Sequence, residues 1–128
     1  MKYNSGMPKL ILVVDDEADF SEVLQFRLRN CHYEILAAAT GTEALHKARC
    51  RRPDAIVLDL LLPDLDGLTL CEILRRQPST RGTPIIMING VSTTATLHTA
   101  KLAGVCAFLG KPLDFEKLKA QLDLALTA

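Results

Sequence analysis

The residues able to do chemistry in this chain are few and oddly placed. Asp15, Asp16 and Glu17 stand in a row directly after an apolar run. Asp59 ends another such run, Asn89 a third, and Lys111 follows a fourth closely. Carboxylates held close together repel one another, and at neutral pH they need protonation or a cation. Mg²⁺ is a natural answer, because it is a hard ion that takes oxygen ligands, keeps waters and accepts a phosphate oxygen. A carboxylate can itself be a nucleophile and form an aspartyl phosphate. Phosphoryl transfer asks mainly for positioning and charge neutralisation, which a metal and a lysine can supply.

Whether these groups meet depends on the elements that carry them. Leu10 to Val14 is a continuous apolar run, as expected of a strand buried on both faces of a parallel sheet. Residues 18–30 place Phe20, Val23, Leu24 and Leu28 on one helical face. Glu34 to Ala39 is a weaker second strand, and Thr40 can cap a helix running to about Cys50 with Ala44, Leu45 and Ala48 inward. Pro53 closes that helix, and the strand from Ala55 to Leu58 delivers Asp59. The turn residues Pro63 to Gly67 precede a helix to about Arg76. Pro84 to Ile88 is a fourth strand, closed by Asn89-Gly90, a common turn pair. A helix from about Ser92 to Ala103, a short strand from Val105 to Leu109, and a helix capped by Asp114 and running through Leu126 complete the chain.

Five β-then-α units in strict alternation predict a doubly wound α/β fold, a parallel sheet with helices on both faces joined by right-handed crossovers. Ligands in such folds bind beyond the carboxyl ends of the strands. The acids, Asn89 and Lys111 all fall at that edge.

The bulk properties narrow the function classes. The 128 residues fit one domain, with 1–8 as a flexible lead-in and 9–128 folded. Hydrophobic residues form 48% of the chain, enough for a real core. Fifteen basic residues balance fifteen acidic ones, which argues against direct nucleic-acid binding or an anionic membrane surface. Cys31, Cys50, Cys71 and Cys106 form no CxxC pair and the three histidines are scattered, so the thiols read as free and the location as cytoplasmic. No run reaches membrane-spanning length.

Val14-Asp15-Asp16-Glu17, Leu58-Asp59-Leu60, Leu62-Pro63-Asp64-Leu65-Asp66-Gly67 and Lys111-Pro112 together resemble the landmark motifs of response-regulator receiver domains, the CheY-like phosphoacceptors of two-component phosphorelay systems. The resemblance runs from about Leu10 to Leu126. It implies a (βα)5 flavodoxin-like fold with strand order 2-1-3-4-5. It implies phosphorylation on Asp59 by a histidine kinase or phosphotransfer protein, with Mg²⁺ on Asp15, Asp16, Asp59 and the main-chain carbonyl of Leu61. Lys111, Asn89 and Gly90 would contact the phosphate, the Lys111-Pro112 bond would be cis, and Asn89 and Phe108 would form the switch. The domain would catalyse only its own phosphorylation and dephosphorylation, so it is not an enzyme in the ordinary sense. Its readers, a downstream output domain or protein, would meet the fourth helix, fifth strand and fifth helix, a surface also open to homodimer formation through the fourth and fifth helices.

Asn89 departs from the family, which nearly always has serine or threonine there. An asparagine amide can donate a hydrogen bond, but it is bulkier and its reach differs. Phosphorylation is expected to survive and coupling to Phe108 to weaken, with Ser92, Thr93 or Thr94 as substitute hydroxyls. The alternative is a non-switching pseudo-receiver that only binds partners, against which stands the complete set of Asp15, Asp16, Asp59 and Lys111. A phosphatase of the haloacid-dehalogenase type ranks lower, since it usually shows DxDx after the first strand and carries a cap for which no insertion is present. In the family the positions two residues beyond Asp59 and Asn89 tune access of the hydrolytic water, so the resemblance, with apolar Leu61 and Val91 there, implies slow loss of the phosphate.

Overall fold

A computed structural model describes residues 7–90 and 93–127. The lead-in up to residue 6, and Val91 and Ser92 with the roles expected of them, lie outside the described residues. Five strands, β1 (Leu10–Val14), β2 (Glu34–Ala38), β3 (Ala55–Asp59), β4 (Ile85–Asn89) and β5 (Ala107–Gly110), alternate with five helices. The helices are α1 (Ala18–Asn30), α2 (Gly41–Arg51), α3 (Gly67–Arg76), α4 (Thr94–Leu102) and α5 (Phe115–Thr127). Every pairing between these strands is parallel and the strand order is 2-1-3-4-5, as the resemblance implies.

The apolar runs explain the order of burial. Every residue of β1, β3 and β4 is buried, whereas β2 and β5 at the edges are mostly half-buried. Side chains alternate across the pleat, so Leu12, Val14, Ile56 and Leu58 pack with Ala44, Ala48, Leu70 and Leu74 of α2 and α3. Ile11, Val13, Val57 and Ile88 face the other way, onto Leu24 and Leu28 of α1 and Phe115, Leu118 and Leu122 of α5. Two dry layers therefore clamp the sheet, and the strand ends are fixed to within the play of a packed core.

Local signals set the boundaries. Thr40 caps α2 by accepting from Glu43 N–H at 3.1 Å, and Asp66 caps α3 through Leu68 N–H at 3.2 Å. Asp114 accepts from Glu116 N–H at 3.0 Å and opens α5. For α4 the described cap is Thr93, whose hydroxyl accepts from Thr96 N–H, so the helix starts at Thr94 rather than at Ser92. Val23 is 60% exposed, because the apolar stripe of α1 that meets the sheet is narrower than Phe20, Val23, Leu24 and Leu28 suggest. β5 begins at Ala107 rather than Val105, after Gly104 turns the chain at φ 84.

Candidate functional site

Asp15 is delivered by the ladder itself. Its N–H continues the β1–β2 pairing to Ala38 C=O at 3.0 Å, and the residue is 5% exposed. Its Oδ1 accepts from Glu17 N–H at 2.8 Å. Asp59, the last residue of β3, is also buried, and its Oδ1 accepts from Leu61 N–H at 3.1 Å. Gly67 makes room behind it, since a Cβ there would lie 2.9 Å from the Asp59 carbonyl oxygen and 2.8 Å from that of Leu60. Gly67 N–H instead donates to Leu60 C=O at 2.7 Å.

Lys111 closes the group from the β5 side. Its Nζ lies 2.7 Å from Glu17 Oε1, 3.2 Å from Asp59 Oδ2 and 3.6 Å from Asp15 Oδ2. The same Nζ sits 4.5 Å from the centre of the Phe20 ring. The main chain is pinned too, by Lys111 N–H donating to Asn89 C=O at 3.1 Å. The Lys111–Pro112 bond is cis. Asn89 is buried at the end of β4, and the exposed Gly90 faces Lys111, to whose Cβ an added methyl would come within 3.8 Å.

One carboxylate oxygen from each of Asp15, Glu17 and Asp59 lies within 4.8 Å of the others. Asp16, expected as a metal ligand from the resemblance, is exposed and its oxygens are not among that set, which Glu17 completes. Asp15 is still on the ladder, the chain bends at Asp16, and Glu17, at φ −83, ψ 103, leads into α1 on the Lys111 side. Glu17 is the N-cap residue of α1 yet makes no side-chain cap bond, its carboxylate being held by Lys111 instead. The signal for Glu17 was present as the third acid of the row.

The electrostatics are those of a site short of positive charge. Burial raises the Asp15 carboxyl to about 6; the Glu17 N–H bond opposes this, Asp59 and Glu17 add to it, and Lys111 relieves it only in part. Burial draws the Lys111 ammonium down, but the Glu17 hydrogen bond and the charges of Asp15 and Asp59 outweigh it, and its pKa is raised. Three hard oxygen donors around one shared ammonium, with a buried carboxyl that resists ionisation, fit a divalent oxygen-seeking cation. Asp15, Glu17 and Asp59 are the residues that could hold it.

Phe108 lies on β5 between two environments. It packs against the core layer of α2, α3 and α4, and it also lines a groove of about 390 Å³ with Leu97, His98, Lys101 and Cys106. The groove runs between α4 and β5, beside rather than within the acidic edge. Leu97 and Leu102 are exposed on α4, whose one buried residue is Ala100. None of the cysteines is paired in a disulfide. Among the described residues no helix is long and apolar enough to cross a membrane.

A five-stranded 2-1-3-4-5 sheet with acids and a lysine at its carboxyl edge defines a class, and comparison with known proteins agrees. The family model for the response regulator receiver domain matches residues 11–123, and the chain belongs to that family. It is similar to the alkaline phosphatase synthesis transcriptional regulatory protein PhoP of Bacillus subtilis, 36% identical over 94% of this chain and 49% of PhoP. The DNA-binding response regulator MtrA of Mycobacterium leprae is 34% identical over 94% of this chain and 52% of MtrA. The chain thus spans about half the length of these curated relatives. Among solved structures, a response regulator of Chloroflexus aurantiacus superposes with a TM-score of 0.90 at 34% identity, covering 95% of this chain and all of that one. The chemotaxis response regulator CheY4 of Vibrio cholerae superposes at 0.87 with 30% identity, covering 94% of this chain and 100% of CheY4.

Proposed function

We propose that this receiver domain takes a phosphoryl group onto the Asp59 carboxylate from a phosphohistidine of a kinase or phosphotransfer protein, and that the modified site alters its protein contacts. The observation that supports this best is Lys111 Nζ at 3.2 Å from Asp59 Oδ2, inside a group of carboxylates at the sheet's carboxyl edge. In the transfer, an Asp59 oxygen attacks phosphorus, the P–N bond to the donor imidazole breaks, and that nitrogen keeps the electron pair and is protonated from solvent. With a small acyl phosphate the broken bond is P–O and the carboxylate leaves.

The residues divide the work. Leu61 N–H holds one oxygen of Asp59 in place, so the carboxylate presents a fixed face. Lys111 offers its ammonium to the charge that arrives with the phosphoryl group. Asp15, Glu17 and Asp59 would hold Mg²⁺, and Asp16 and the Leu61 carbonyl, implied by the resemblance, are further oxygen donors at the same edge. Bound there, the cation would neutralise charge on the transferring oxygens. The chain acts once on itself and turns over no separate substrate.

A phosphoryl group adds negative charge and strong acceptor oxygens, and so shifts the population of any loop pair with two arrangements. Phe108, half-buried at the α4–β5 groove, is the residue placed to report that shift to a reader on α4, β5 and α5, whether an output domain or a second copy. The names of the relatives describe transcriptional regulators about twice this length, so an output segment of that kind is a natural reader. Asn89 supports a second reading, a binding module whose contacts do not respond to phosphorylation. The amide replaces the hydroxyl that the family uses to pull its loop inward.

The test is intact mass after incubation with acetyl phosphate and Mg²⁺, beside Asp59→Ala and a metal-free control. The chain has no tryptophan, so mass is a better readout than intrinsic fluorescence. A single Mg²⁺-dependent adduct absent in Asp59→Ala is expected. A folded wild type that gains none with two small donors would leave the non-switching reading.

A further inference from the structure

Lys111 has three carboxylates to choose from, and its shortest bond is to the outermost one. Glu17 Oε1 lies at 2.7 Å on a side chain that is 62% exposed, while the buried Asp59 and Asp15 lie at 3.2 and 3.6 Å. A lysine head on a flexible four-carbon stem, drawn to an exposed acid, would ordinarily swing towards water. Here a ring limits that excursion. Phe20, three residues after Glu17 and on the same face of the first turn of α1, lies 4.5 Å from Nζ at its centroid. The ring is itself anchored, being half-buried against the core layer formed by Ile11, Val13, Leu24 and Ile88. The ammonium is thus held between a fixed aromatic ring on α1 and the carboxylate of Asp59 on β3.

We infer that Phe20 is a positioning residue for phosphoryl transfer: its ring holds the Lys111 ammonium within reach of Asp59 before the phosphoryl group arrives. The inference rests on the phosphoacceptor reading above. An attraction between ammonium and ring face is directional and needs no counter-charge, so it steadies Lys111 without neutralising it. Glu17 cannot do this alone, since an exposed carboxylate moves with its partner. A lysine already placed where charge will develop costs no reorganisation during transfer, the condition under which such electrostatic help is greatest. As an apolar residue on the inward stripe of α1, Phe20 otherwise reads as core only, which is why the pairing with Lys111 is absent from the sequence pattern.

The experiment compares wild type, Phe20→Leu and Phe20→Tyr, all labelled with ¹³C-lysine. Lys111→Arg identifies the Lys111 ε-methylene signal by its loss. In metal-free wild type that signal should be displaced upfield of the other lysines by the ring current, kept in Phe20→Tyr and lost in Phe20→Leu. With acetyl phosphate, Phe20→Leu should form the adduct about threefold to tenfold more slowly, the range set by a partly exposed cation–π contact. Phe20→Tyr should restore the rate, and the Mg²⁺ concentration giving half the maximal rate should be the same in all three. Unshifted signals from the remaining lysines would show that the leucine variant keeps its fold. A Lys111 signal in the wild type that lies with the other lysines would overturn the inference, as would a leucine variant phosphorylated at the wild-type rate. If the wild type forms no adduct, the phosphoacceptor reading and the positioning role fall together. The displaced signal would then still record the contact, which separates that failure from failure of the geometry.

Discussion

Replacing Asp15 with asparagine should make the metal-free protein more stable at neutral pH. In the folded chain the carboxyl is raised from 3.8 to about 6, chiefly by burial. At about 1.4 kcal/mol per pH unit of displacement, ionised Asp15 costs the fold on the order of 3 kcal/mol. The group is 5% exposed, so solvent screening takes little from that figure. Asparagine keeps an oxygen for Glu17 N–H, the 2.8 Å bond that Asp15 now accepts. The sign with pH follows from proton binding. Between the unfolded value and about 6 the native state holds more protons than the unfolded state, so stability falls as pH rises through that window. Below the unfolded value both states are protonated and the penalty is gone. Urea unfolding in EDTA at a series of pH values measures it. The variant should exceed the wild type by about 2 to 3 kcal/mol above pH 7, and the gap should close towards pH 4. Mg²⁺ at about a hundred times its dissociation constant should return about 2.7 kcal/mol to the wild type and much less to the variant. A wild type as stable as Asp15→Asn at pH 8 without metal would refute the argument, because the buried carboxylate would then carry no cost.

Other expectations are open to equally direct checks. Gly67→Ala should destabilise the fold by about 1 to 3 kcal/mol, read from urea unfolding, since its methyl would meet the backbone of Asp59 and Leu60 at 2.8–2.9 Å. Arg75→Met should cost a similar amount, about 2 kcal/mol, because the guanidinium donates to the carbonyls of Thr80, Arg81, Thr83 and Gly104. Asp64 caps the start of α2 through Gly41 and Thr42, bonds that hold its carboxyl down at about 2. Its contribution is therefore present above the unfolded value and lost as pH falls through about 2, and Asp64→Ala should lower the melting temperature at pH 7 more than at pH 2. Phosphorylated Asp59 should lose its phosphate slowly, given apolar Leu61 beside it; a half-life of seconds by intact mass would contradict that.

How much could be read from the chain alone differs by region. β1, β3 and β4 were plain because central parallel strands are apolar at every position, and Leu10 to Val14 or Ile85 to Ile88 have no competing helical reading. The start of β5 was not, since Val105 and Cys106 look like strand residues, yet after the turn at Gly104 the Val105 N–H closes back on Ala100 C=O and only the Cys106 N–H reaches β4, at Ile85. Asp15, Asp59 and Lys111 were found by where each strand ends. The bond of Glu17 to Lys111 was hidden because periodicity does not say which side of the chain faces a lysine from a distant strand, least of all across the bend at Asp16. Phe20 was hidden more deeply. Its partner lies far along the chain, like the Glu17–Lys111 bond that spans 94 positions, and no local pattern encodes such a meeting.

The hydrogen bond from Lys111 N–H to Asn89 C=O ties the ends of β4 and β5 together. Mechanically this couples the two ends, since the bond continues the β4–β5 ladder past the Asn89–Gly110 pair. A displacement of the β4 end is passed to the lysine backbone through main-chain atoms, whatever side chain stands at position 89. A single spectroscopic label on either strand end would consequently follow both.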